Sequence, residues 1–298
     1  MFLKTAALLF SFVIFHSSYS QSKHSMESLR LQIDSALQGH KGKFAVAFRD
    51  LQSGDTLLIN GHESFHAAST MKTPVMIEVF NQAKQRRFSL NDSLVLRTEF
   101  KSIVDGSPFS LDSADDSEKE LYLHVGEKRT IRELMFRMIT VSSNLATNMI
   151  IELVGAEKVT ATAHALGASD LHVLRGVEDN KAFEKGMNNT TTAYDLMILM
   201  EKIGQGKAVN KKSSDEMVHI LLDQEFNEII PARLPSNVKV AHKTGNITGV
   251  EHDSGIVFLP DGRKYVLVLL SKGLEDKEDG IKCMSEISEM IYHYMVRG

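Results

Sequence analysis

Three short stretches of the chain combine residue types that acyl transfer needs. Ser69-Thr70-Met71-Lys72 sets an amine three residues after a hydroxyl. A serine hydroxyl is a weak nucleophile unless a base lies beside it, and residues three apart share a helix face. A helix opening at Ser69 would bring Lys72 one turn on, within reach of the hydroxyl. The partial positive charge of the helix N-terminus would then fall where an oxyanion forms. Ser142-Ser143-Asn144 interrupts an apolar helical region made of Leu134, Met135, Met138 and Ile139 before it and Met149, Ile150 and Leu153 after it. A serine and an asparagine projecting from such surroundings can pass a proton and hydrogen-bond a substrate amide. Lys243-Thr244-Gly245 reads as the end of a strand. There a lysine can attract a substrate carboxylate, a threonine hydroxyl can bind it, and a glycine lets substrate approach the backbone.

Each stretch is a weak signal alone. The Ser-x-x-Lys spacing recurs at Ser20…Lys23 and Ser236…Lys239, and Ser-x-Asn recurs at Ser89…Asn91. A helix N-cap serine, polar groups satisfied within a turn and an ordinary strand-to-loop transition are the plainer readings. The order of the three along one chain is the stronger signal. In that order, from about residue 26 to the end, the chain resembles the class A serine β-lactamases of the penicillin-recognising superfamily. Asn189-Thr190-Thr191-Thr192 is similar to the threonine run after that family's omega loop. His252-Asp253-Ser254-Gly255-Ile256 is similar to the strand after its Lys-Thr-Gly.

The resemblance implies a role for each matching residue. Ser69 is acylated, and Lys72 is the general base or part of its relay. Ser142 shuttles a proton to the leaving nitrogen, and Asn144 binds the substrate's acylamide. Lys243 and Thr244 hold a carboxylate beside Gly245, and the N–H groups of Ser69 and Asn246 form the oxyanion hole. Glu178, 36 residues after Ser142, is the candidate for activating the deacylating water, with Asp179 as its neighbouring alternative. The chain departs from the family pattern here. No proline follows Glu178, Asn189 stands where an aspartate would pair with an arginine, and Ser143 stands where the second motif has aspartate. Acylation therefore looks complete and deacylation altered. Three functions stay open on the residues: a β-lactamase, a D-alanyl-D-alanine carboxypeptidase or related amidase or esterase, and a binder of penicillin or cell-wall peptide without turnover. The partner in each case is a small β-lactam or a cell-wall peptide, and no cofactor is called for.

The elements that must position these residues follow from periodicity. Leu29, Ile33 and Leu37 lie at helical spacing, and Phe44, Val46 and Phe48 alternate as in a half-buried strand. Ser53-Gly54 turns the chain into a returning strand at Thr56–Ile59. Thr70–Arg87 reads as helix, with Pro74 in its first turn, and a largely helical middle runs from about Ile131 to Leu222. Ser107–Lys119 is polar and acidic and reads as a surface excursion. Strands are expected at Lys239–Lys243, His252–Leu259 and Tyr265–Leu270, followed by a helix whose stripe is Ile281, Met284, Ile287, Ile291 and Met295. The expected fold is α/β in composition (α+β). An antiparallel sheet flanked by helices is built from residues 21–68 and 205–298, and an all-helical domain over 69–204 is inserted, with the nucleophile at its start.

Of the 298 residues, 43% are hydrophobic and 24% charged, with a formal net charge of −4. Lys4, the apolar run from Ala6 to Phe15 and the small residues up to Ser20 read as a secretory signal peptide over residues 1–20. Its cleavage would leave a periplasmic or secreted protein with no membrane anchor and a charge of about −5, since Lys4 leaves with it. A mildly acidic chain without a basic tract gives no nucleic-acid interface. One cysteine, Cys283, excludes an intramolecular disulfide. His62 and His66 are four apart without a zincin glutamate between them, so no metal is expected. The fourteen methionines read as core filler, and a monomer is expected.

Overall fold

The computed structural model describes residues 25–297, and the leader expected over 1–20 lies outside them. Five strands form one antiparallel sheet: β1 (Lys43–Asp50), β2 (Thr56–Ile59), β9 (Lys239–Ile247), β10 (Val250–Phe258) and β11 (Lys264–Lys272), in the order β2-β1-β11-β10-β9. The two chain ends thus meet along β1 and β11, in a register from Lys43↔Lys272 to Asp50↔Tyr265.

Residue size along β1 explains how this sheet is covered. Phe44, Val46 and Phe48 join Leu29 and Ile33 of α1 (Met26–Leu37) and Met284, Ile287 and Ile291 of α9 (Lys277–Arg297) in one core. Ala45 and Ala47 point the other way, into a second core with the helical layer. The expected half-buried strand is therefore buried on both faces, and residues 44–48 are all buried. The alanines leave room for α7 (Ala193–Gly204), which lies across β1, β10 and β11.

The helical layer also contains α2 (Lys72–Lys84), α3 (Ile131–Thr140), α4 (Asn144–Val154), α5 (Ala156–Ala165), the short α6 (Asn180–Glu184) and α8 (Lys211–Leu222). Three small two-stranded pairings brace it: β3 (Phe65–His66) with β8 (Thr190–Thr191), β4 (Ser93–Val95) with β7 (Lys128–Thr130), and β5 (Glu99–Lys101) with β6 (Pro108–Ser110).

Three local expectations need correction. Ser69 does not open α2; it lies in a 3₁₀ turn, Ala68–Met71, that leads into it. Lys243-Thr244-Gly245 sits within β9 rather than at its end, because pairing with β10 continues to Ile247↔Val250. The Ser107–Lys119 excursion is not wholly a surface segment, since Asp116 and Glu118 are buried. A carboxylate can be buried there because main-chain N–H groups surround it.

Candidate active site

The Ser69 turn is held from two sides. Ala67 N–H donates to Asn189 O at 2.8 Å, and Ala68 N–H donates to His66 Nδ1 at 3.0 Å. Ala68 takes a left-handed φ of +43°, which an alanine holds only when its surroundings enforce it. On the other side, a Cβ added at Gly245 would lie 2.9 Å from Ser69 N and 3.0 Å from Thr70 N. Only glycine lets β9 press against the nucleophile's backbone.

Lys72 is fully buried at the head of α2. Its Nζ donates to Ser142 O at 2.7 Å, to Ser142 Oγ at 3.1 Å and to Asn144 Oδ1 at 3.2 Å. Burial lowers its pKa to about 7, and the opposing charges of Asp116 and Glu178 limit the fall. Among the described residues its acceptors belong to the second motif and not to Ser69. Lys243 is also fully buried and donates to the same Ser142 Oγ at 3.1 Å and to Thr244 O at 3.0 Å. Burial holds its amine well below the usual lysine range, and the Lys72 charge adds to this. Ser142 therefore accepts from two lysines and keeps its own proton free to donate. Its φ of +56° is also in the left-handed region. Thr244 lies on β9 half-buried, one residue beyond Lys243.

The two candidate carboxylates separate cleanly. Glu178 Oε1 accepts from Asn144 Nδ2 at 3.1 Å, so the Asn144 amide bridges Lys72 and Glu178. Partial burial raises the Glu178 pKa, and the charges of Asp115 and Asp116 raise it further. Asp179 turns away. It accepts from Ser102 Oγ, Ile103 N–H and Ala182 N–H, tying down the 102–103 loop and capping α6.

The loop carrying Glu178 is held by amides rather than by an ion pair. Asn148 Oδ1 accepts from Val177 N–H at 2.7 Å and its Nδ2 donates to Val177 O at 3.0 Å. A Cβ at Gly176 would collide with the Asn148 amide. Asn189 Oδ1 accepts from the N–H groups of Leu174 and Arg175, and its Nδ2 donates to Arg175 O. The buried Arg175 guanidinium donates to Met187 O, Gly176 O and Asn188 Oδ1. So a neutral amide closes the neck of the loop where an aspartate would have paired with arginine. Asn148 was legible in principle, since it follows Asn144 by four residues and shares its helix face. Asp116 was not, because nothing in a polar loop 28 residues upstream points to Asn144.

A cavity of about 270 Å³ opens between this loop and the end of β9. Ser69, Asn144, Glu178 and Asn246 line it, with Phe183 and Ile247 at its walls. The structure thus brings Ser69, Asn144, Glu178 and Asn246 to one cavity, and Lys72, Ser142 and Lys243 to one buried cluster joined to it through Asn144.

Comparisons with known proteins give the family of the chain. Residues 28–295 match the model of the beta-lactamase enzyme family. The chain belongs to that family. Against a β-lactamase of Bacteroides uniformis, this β-lactamase family member is 28% identical over 283 residues, 91% of its own chain and 92% of the relative. Against Beta-lactamase VEB-1 of Pseudomonas aeruginosa it is 23% identical, covering 92% of each chain. The solved structure of PBP-A superposes with a TM-score of 0.80 at 29% identity, covering 92% of this chain and 97% of that one. A PBP-A variant has been solved as an acyl-enzyme complex with penicillin G. Among the described residues no group of three His, Cys, Asp or Glu side chains could hold a metal ion. No helix among them is long and apolar enough to cross a membrane.

Proposed function

We propose that the protein is a serine β-lactamase of the class A type, with Ser69 as nucleophile and Glu178 as the base for deacylation. One observation carries the reading: the Asn144 amide joins Lys72 to Glu178 while Ser142 Oγ takes a hydrogen bond from each buried lysine. A Lys72 pKa lowered to about 7 suits the amine to act as the base for the Ser69 proton, in exchange for one of its hydrogen bonds to the second motif. Ser69 Oγ then attacks the ring carbonyl, and the N–H groups of Ser69 and Asn246 receive the oxyanion. Ser142 donates its proton to the leaving nitrogen and is resupplied from Lys72. The buried Lys243 amine attracts the substrate carboxylate, with Thr244 beside it and Gly245 leaving room for the approach. Asn144 orients the acylamide. Ionised Glu178 takes a proton from the water that hydrolyses the ester. A signal peptide over residues 1–20, as read from the sequence, would export the protein to the periplasm or beyond, where β-lactams and cell-wall peptides are met.

An intact-mass time course with penicillin G tests the reading. An adduct that forms and decays while penicillin is consumed, and that is absent in Ser69→Ala, is the expected result. An adduct that persists would replace turnover by capture, and unreacted protein would remove Ser69 from the chemistry.

A further inference from the structure

The second motif is held in place from outside itself. The first four N–H groups of a helix have no partner within it. In α4 the N-cap Ser143 N–H donates to Arg137 O at 3.1 Å, and the Ser143 hydroxyl accepts from Ala146 N–H at 3.2 Å. The remaining two, Asn144 N–H and Leu145 N–H, both donate to Asp116 Oδ2 at 2.9 Å. Tyr122 Oη donates to the same oxygen at 2.9 Å, and Glu118 N–H donates to Oδ1 at 3.1 Å. Asp116 is only 5% exposed. Four hydrogen bonds and the positive end of α4 account for a carboxylate buried there.

We propose that Asp116 is a positioning residue for acylation: its carboxylate fixes the Ser142–Asn144 turn and supplies a buried negative charge opposite Lys72. This rests on Ser69 and Lys72 acting as proposed above. Asn144 is held by its main chain to Asp116 and by its side chain to Lys72 and Glu178, so a displaced Asp116 moves both partners' contact. Ser142, in its left-handed conformation, immediately precedes the helix head that Asp116 holds.

The charge effect has a definite sign. The charged groups that bear on Lys72 are Asp116 and Glu178, which favour its protonated form, and Lys243, which opposes it. Around Asp116 lie Tyr122, Asp115, Glu178 and Glu118, the last paired to Arg137. Burial pushes the Tyr122 hydroxyl up and the charges of Asp116, Glu178 and Glu118 add to it, so it stays a neutral donor to Asp116 across the working range. Neutralising Asp116 therefore makes Lys72 easier to deprotonate.

The test follows Ser69 acylation by penicillin G, by rapid-quench intact mass, from pH 5 to 9 in the wild type, Asp116→Asn and Asp116→Glu. For Asp116→Asn the midpoint of the rise with pH should move down by roughly one unit, and the plateau rate should fall about tenfold through loss of geometry. Asp116→Glu keeps the charge and displaces it, so its midpoint should stay with the wild type while its plateau falls. An unmoved midpoint in a folded Asp116→Asn, whatever its thermal stability, overturns the charge role. An Asp116→Glu plateau equal to the wild type overturns the positioning role, and this variant decides even where Asp116→Asn does not fold. A wild type that is not acylated would instead overturn the reading of Ser69 and Lys72 on which the inference depends.

Discussion

Glu178 shows what the active site costs the fold. Its pKa is raised in the folded protein, so folding favours its protonated form. Above the ordinary carboxylate range the ionised group therefore opposes folding, and the penalty disappears as pH falls below its unfolded pKa. Glu178→Gln keeps an oxygen for Asn144 Nδ2 and removes the charge. We expect hydrolysis of penicillin G to fall by about 10²–10⁴-fold, the Ser69 adduct to accumulate, and the melting temperature at pH 7 to rise. Loss of activity with a lowered melting temperature would mean that the carboxylate is structural. The pH profile of kcat/KM should climb through about 7 as Lys72 loses its proton. A profile flat between pH 6 and 8 would remove Lys72 as the base. At this scale Ser69, Lys72, Ser142, Asn144 and Lys243 stood out as candidates because they lie in short motifs, whereas the cluster of Lys72, Ser142 and Lys243 joins three separate segments and only folding assembles it. What separates Glu178 from Asp179 was not legible, because neighbouring side chains diverge: in the folded loop Glu178 meets Asn144, while Asp179 ties down residues 102–103 and caps α6.

The loop from Arg175 to Asn180 carries the proposed deacylation base, and its neck is closed by neutral contacts. Gly176→Ala would drive a methyl group into the Asn148 amide, which is itself locked to Val177 by two hydrogen bonds. The loop must then shift, and Glu178 with it. We expect the decay of the penicillin adduct to slow by roughly 10²-fold, as for a misplacement of about 1 Å, while its formation changes little. Equal slowing of both steps in stopped-flow and mass measurements would mean that the damage reaches Lys72 and Ser142. Periodicity reported the regular elements around the loop, including the apolar stripe of α9 and the hairpin of β1 and β2. It did not report that Lys-Thr-Gly lies inside β9. The strand extends past Gly245 because β10 pairs with it, and pairing is a property of two segments.

For the whole molecule, the sheet separates stability from chemistry. Ile287 is fully buried under the outer face, against α1 and the sheet, in a different core from the helices that carry the candidate site. Ile287→Ala should cost about 2–5 kcal/mol of stability and leave kcat/KM at 25 °C close to wild type. A parallel loss of activity in folded protein would show that the two cores are coupled.

The sequence by itself determined the chemistry and the type of fold. Three motifs in order, strands at both chain ends and helices between them are local patterns, readable because covalent spacing and side-chain periodicity are fixed along the chain. Only the tertiary structure decided how the site is held. Asp116 reaches the head of α4 from 28 residues away, Asn189 closes the omega-type loop with an amide, and Ala45 and Ala47 admit a helix to the second face of the sheet. Each of these is a contact between segments, and its partner is set by burial and hydrogen bonding in the folded chain rather than by any neighbour in sequence.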